Sequence, residues 1–199
     1  MAVPSASSES FEERLQPFLE ELATDKPAPG GGSVAAAVVA MAAGLVEKTA
    51  LISRDWDEGP GVHAQAKRLR QRALSLADED AAAYGNVLRA RRGTKKTRQE
   101  HRDFELGQAL SLAADVPLVI AETAADVAEL AARAAELGNP ALRGDAAAAA
   151  TFAHAAARAG ANLVVINLGM RPEDNRLARA QRAVEAAEAA AKQALAPSG

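Results

Sequence analysis

The chain of 199 residues contains no cysteine. Disulfides, thiolate zinc sites and cysteine nucleophiles are thereby excluded. Aromatic residues make up only 3%, too few to build base-stacking platforms for single-stranded nucleic acid. No excess of positive charge exists either: 23 Lys and Arg face 26 Asp and Glu, a net charge of -3, so the basic footprint of a nucleic-acid binder is missing. The start, "MAVPSASSES", has neither the charged nor the apolar region of a secretory leader. The longest uninterrupted apolar run, 34–46, is shorter than the ~20 residues of a membrane span. These absences set the expectation of a cytoplasmic protein with no nucleic-acid or membrane partner. Strand-like alternation is also nearly absent.

Alanine is what the chain has instead, at about a quarter of all residues, and alanine is the strongest helix former. The expectation is all-α: a bundle of about six helices with small-residue packing, in one domain spanning 1–199, with 1–9 disordered. Ser10 and Glu13 have capping-box spacing ahead of an apolar face at Phe11, Leu15, Phe18, Leu19 and Leu22. Pro17 leaves two starts open, at Ser10 or near the proline itself. A second helix is expected from Ser33, as N-cap, to about Ser53, and a third from about His63 to Ala90. The basic run at 89–98 reads as an exposed loop. A fourth pattern covers about Thr97 to Leu137, with a kink or break at Pro117. Asp145 caps a fifth helix, and a last one runs from about Glu173 to Leu195.

The stretch "KPAPGGGSVAAAVVAMAAGLVEK" places Gly30, Gly31 and Gly32 directly before a helix. Backbone N–H groups there lack intrahelical partners, the helix dipole adds positive charge, and glycine lets a ligand approach closely. This suits an anion or a carbonyl. It is not a P-loop, since no Gly-Lys-Ser/Thr follows and no strand precedes. The plainer alternative is a sharp turn that lets two helices touch.

The stretch resembles the signature of the formiminotetrahydrofolate cyclodeaminase / methenyltetrahydrofolate cyclohydrolase family, which includes the cyclodeaminase half of formiminotransferase-cyclodeaminase. Three further segments resemble it in order: "LADEDAAAYGNVL", "AADVPLVIAETAADV" and "GNPALRGDAAAAATFAHAAARAGANLVVINL". The similarity spans about residues 11 to 170. One departure is Gly144, where the family usually has serine before the aspartate. The resemblance implies an all-helical homodimer with its active site near the dimer interface. The implied substrate is a one-carbon tetrahydrofolate, with no separate cofactor and no metal. Two reactions are left open: cyclodeamination of 5-formiminotetrahydrofolate to the methenyl form with release of ammonia, and hydrolysis of the methenyl form to 10-formyltetrahydrofolate. The rival from another class is a non-catalytic helical module for folate binding or dimerisation.

That chemistry needs a base for the N10 proton and an acid for the leaving nitrogen, and carboxylates are the candidates. Asp78 and Asp80 lie about 200° apart on a helix, so only one squarely faces a cleft; a solvated acidic face is the alternative for both. Asp145 is either a helix cap, a substrate contact, or both. The substrate-binding candidates are Gly30, Gly31, Gly32, Ser33, Glu122, Asn162 and Asn167. Glu122 follows an apolar segment, which predicts partial burial and a raised pKa if no cation is near. Asn162 and Asn167 lie on an otherwise apolar helix, where amides need partners. Lys48 reads as a surface residue.

Overall fold

A computed structural model describes residues 10–92, 99–169 and 173–197, apart from the side chains of Glu100 and Arg102. The expected disorder at 1–9 and most of the expected basic loop lie outside the described residues. Seven α-helices are present among them: α1 (Phe11–Leu22), α2 (Gly31–Ile52), α3 (Gly59–Arg92), α4 (Gln99–Ala113), α5 (Asp115–Leu137), α6 (Arg143–Leu168) and α7 (Asn175–Leu195). A 3-10 turn, Pro140–Leu142, leads into α6. The described residues contain no strand.

Helix α1 begins at the Ser10–Glu13 capping box, with both reciprocal bonds formed, and keeps Pro17 in its interior. It buries none of its residues. The fourth sequence pattern is two helices. The chain breaks at Ala114 rather than at Pro117, which sits in the first turn of α5. A proline there costs no helical hydrogen bond, because first-turn N–H groups have no intrahelical acceptor. Arg176 braces this corner from the start of α7. It donates to Asp174 at 2.8 and 2.9 Å, to Ser111 O and Oγ at 2.6 and 2.9 Å, and to Asp115 at 2.7 Å. Its pKa is raised, chiefly by the bond to Asp174.

Two caps differ from expectation. Gly30, not Ser33, is the N-cap of α2; Ser33 lies two residues inside and is buried. Asp145 does not cap α6, which starts at Arg143 after Leu142. The α-helix follows directly on the 3-10 turn, with Arg143 and Gly144 as its first residues, and that places Asp145 inside the first turn.

Helices α2, α5 and α6 form the centre, with α3 against α2 and α5, α7 against α5 and α6, and α4 along α3. The core is mostly alanine, studded with Val39, Val46, Leu76, Ile120 and Val127. Small side chains let helix axes approach closely. Helix α6 comes close to α5 at Gly160, where an added Cβ would lie 2.8 Å from Pro117 O and 3.1 Å from Ala121 N. Both are backbone atoms and cannot swing aside. Gly160→Ala is therefore expected to cost about 1–3 kcal/mol by overpacking, against alanine's better helix propensity, and to lower the midpoint of thermal denaturation followed by circular dichroism. An unchanged midpoint would show that α5 and α6 separate without strain.

Three helical stretches, Gly31–Ile52, Asp103–Leu137 and Pro140–Leu168, are long and apolar enough by length and composition to cross a membrane, with mean hydropathies of 1.7, 1.4 and 1.2. This corrects the expectation drawn from the uninterrupted run alone: isolated polar residues interrupt a run without lowering its mean much. Their apolar faces pack on one another in the bundle centre. Some of their charges are paired across helices, as Glu47 with Arg70 and Lys48 with Asp145.

Candidate functional site

The start of α2 meets the middle of α3 at Gly32. A Cβ there would fall inside the Asp80 carboxylate, closer than real Cβ contacts come. Glycine is thus required for the carboxylate to lie against the backbone. Ser33 makes the other contact: its Oγ is 3.0 Å from Ala77 O and 3.3 Å from Asp80 Oδ2. Its backbone N–H also bonds Asp80.

A hydroxyl has one hydrogen to give. With Asp80 ionised, Ser33 turns its hydrogen to the carboxylate. With Asp80 protonated, Ser33 donates to Ala77 O and accepts from the acid. Both protonation states are accommodated without moving a helix. Burial raises the pKa of Asp80 above its ordinary value, and the side-chain and backbone bonds from Ser33 oppose that rise. Desolvation disfavours the charged form and prevails here, as it does for proton-transfer carboxylates.

Asp80 opens onto a cavity of about 280 Å³ lined by Pro27, Gly30, Gly31, Gly32, Tyr84, Pro117, Leu163, Ile166 and Asn167, among others. The walls are mostly apolar, with few polar groups, as in ligand sites generally. The N–H groups of Gly31 and Gly32 are in the first turn of α2 and have no intrahelical acceptor. Asn167 donates from Nδ2 to Ala113 O at 2.9 Å, which leaves its oxygen as an acceptor at the wall. The arrangement offers backbone donors for a carbonyl, flat apolar walls for a heterocycle, and one carboxyl group able to take and return a proton.

The structure therefore brings together Gly30, Gly31, Gly32, Ser33, Asp80 and Asn167. Four other sequence candidates lie elsewhere. Asp78 is exposed on another side of α3, and Asn162 is exposed on α6. Asp145 pairs with Lys48 at 2.6 Å; Lys48 is 17 residues beyond Gly31, about 25 Å at helical rise. Glu122 is held by Arg179 through two bonds of 2.9 Å, so a cation stands beside it, away from the Asp80 cavity. Tyr84 and the prolines were not among the candidates. Tyr84 had a legible signal, its four-residue spacing from Asp80 on one helix face. Pro117 lies in one of the segments that carry the resemblance, but nothing local placed it at the cavity; the packing of α5 does.

The sequence profile of formiminotransferase-cyclodeaminase matches residues 14–189. A methenyltetrahydrofolate cyclohydrolase of Methylorubrum extorquens is 32% identical over 164 residues, covering 78% of this chain and 79% of that protein. The formimidoyltransferase-cyclodeaminase of Sus scrofa is 33% identical over 154 residues, 72% of this chain; the match spans only 28% of the pig protein. Among solved structures, formiminotetrahydrofolate cyclodeaminase from Thermotoga maritima superposes with a TM-score of 0.81 at 28% identity. That superposition covers 90% of this chain and 92% of the other.

Proposed function

The chain belongs to the formiminotransferase-cyclodeaminase family, and from that premise we propose that it is a folate one-carbon enzyme, catalysing cyclodeamination of 5-formiminotetrahydrofolate, cyclohydrolysis of 5,10-methenyltetrahydrofolate, or both. The observation that carries the reading is Asp80, held against Gly32 by Ser33 at the wall of a cavity with free backbone donors. The names of the bacterial relatives supply the two reactions.

In cyclodeamination, N10 attacks the carbon of the formimino group on N5, whose imino nitrogen is protonated. Asp80 takes the N10 proton and returns it to the departing nitrogen, which leaves as ammonia while the carbon becomes the methenyl bridge. In cyclohydrolysis, Asp80 takes a proton from the water that adds to that bridge. The C–N5 bond then breaks as the new hydroxyl proton passes to N5, and one proton is released overall. Both reactions use one carboxyl group near a carbon bonded to two nitrogens. The donors of Gly31 and Gly32 hold the pterin carbonyl. No metal or further cofactor enters either scheme.

The two reactions move the methenyl absorbance band in opposite directions: it grows from formimino substrate with release of ammonia, and decays as methenyl substrate is hydrolysed. Purified protein that changes the band above the uncatalysed rate with neither substrate would overturn the reading.

The proposal includes a homodimer. Met41 and Phe152 are about half exposed on adjoining faces of α2 and α6, beyond the apolar groove formed by Val34, Val38, Ala155 and Ala159. Ile166, exposed on the Phe152 face of α6, extends this apolar surface to the rim of the Asp80 cavity. Such a continuous strip suits a second copy. A double variant, Met41→Asp with Phe152→Asp, is expected to halve the mass seen by light scattering. A native mass unaffected by these charges would place the interface elsewhere.

A further inference from the structure

Ala83 and Ala113, at the edge of the Asp80 cavity, also line an adjoining, largely apolar recess of about 450 Å³ between α3 and α4, walled by Asn86, Phe104, Glu105, Gln108, Ala109 and Leu112. Phe104 is 63% exposed and Leu112 66%, although each faces a concavity rather than a flat surface. Ligand sites commonly occupy about 300–1,000 Å³. The Asp80 cavity is at the lower edge of that range, suited to a bicyclic ring; with the recess, the site reaches mid-range.

The chemistry of the substrate divides the same way. The reduced pterin carries N5, and N10 carries an aminobenzoyl ring with its glutamate. N5 and N10 become bonded to one carbon, so the aminobenzoyl ring departs from the point where Asp80 exchanges its proton. Asp80, Ala83 and Asn86 follow at three-residue spacing along α3, about 9 Å of helical rise. This face leads from the proton-transfer carboxyl into the recess.

We propose that the α3–α4 recess is the aminobenzoyl subsite, with Phe104 and Leu112 flanking the ring and the amides of Asn86 and Gln108 beside its carbonyl. The proposal rests on the folate reading of the Asp80 cavity. It makes α4 a substrate-binding element and explains its two large exposed apolar side chains without a partner protein.

The test is the double variant Phe104→Ser with Leu112→Ser. Exposed positions such as these tolerate substitution. Kinetics are measured on the full tetrahydrofolate substrate and on an analogue with methyl on N10 in place of benzoylglutamate. p-Aminobenzoylglutamate serves as a competing fragment. The expected result is a KM for the full substrate raised about tenfold with kcat kept, an unchanged KM for the analogue, and inhibition by the fragment of the native protein alone. Retained turnover of the analogue also shows that the variant is folded. An unchanged KM for the full substrate overturns the subsite, as does an equal rise for both substrates. A loss of dimer mass with unchanged KM gives the recess to a second copy instead. A native protein inactive on the full substrate overturns the folate reading and the subsite together.

Discussion

Asp80→Asn is expected to lower kcat by about 10²- to 10⁴-fold, the usual contribution of a positioned general acid or base. The amide keeps the size of the group and its place beside Gly32 and Ser33, but it cannot exchange a proton. Stability is expected to move the other way. Burial raises the Asp80 pKa in the folded state, so between the unfolded and folded pKa values the native state holds more protons than the unfolded chain. Stability then falls as pH rises through that window. The penalty is absent below the unfolded pKa and complete above the folded one. At neutral pH the asparagine variant should match or exceed the native melting temperature, and the fall in stability across the window should vanish. The native rate, where it depends on the ionised base, should rise with pH through a value above that of an ordinary aspartate. Asp78→Asn tests the assignment from the other aspartate. Retained activity there leaves the role with Asp80, whereas an equal loss in both variants, or an active Asp80→Asn, sinks it.

Gly32→Ala is the second large effect, and it is a geometric one. The new methyl group would occupy the space of the Asp80 carboxylate. That carboxylate is the free end of a side chain, so it yields by rotating rather than by forcing the helices apart. The expected outcome is a fall in kcat of about 10²-fold, of the order produced by a misplacement of 1 Å, with little change in melting temperature. Gly61→Ala is the control: it is exposed in α3 with nothing near its added Cβ, and it should gain about 0.5–1 kcal/mol from the stiffer backbone without touching the rate. A Gly32→Ala protein with native kcat would show that the carboxylate need not rest against α2. Gly160→Ala makes the contrast, since its obstacle is backbone and its effect belongs to stability.

Sequence alone determined that this chain is helical and that its helices pack closely. Alanine content and the lack of alternation act through local backbone preference, which needs no tertiary context. The Ser10 capping box and the turn at Gly30 were legible for the same reason, because caps and turns are built from neighbours in the chain. The ordered motifs also gave the family, and the glycines located the start of α2 to within three residues. The roles within that motif were decided in three dimensions. Ser33 has the chemistry of a cap, yet it serves a carboxylate 47 residues away. Asp78 and Asp80 are equivalent on paper, and only the docking of α3 on α2 chooses the one that reaches Gly32. Asp145 and Glu122 carry promising charges, but Lys48 and Arg179 reach them from other helices. Local rules set which residues form helices. Which side chains then meet depends on how those helices cross, and small-residue faces leave that register to contacts far apart in the sequence.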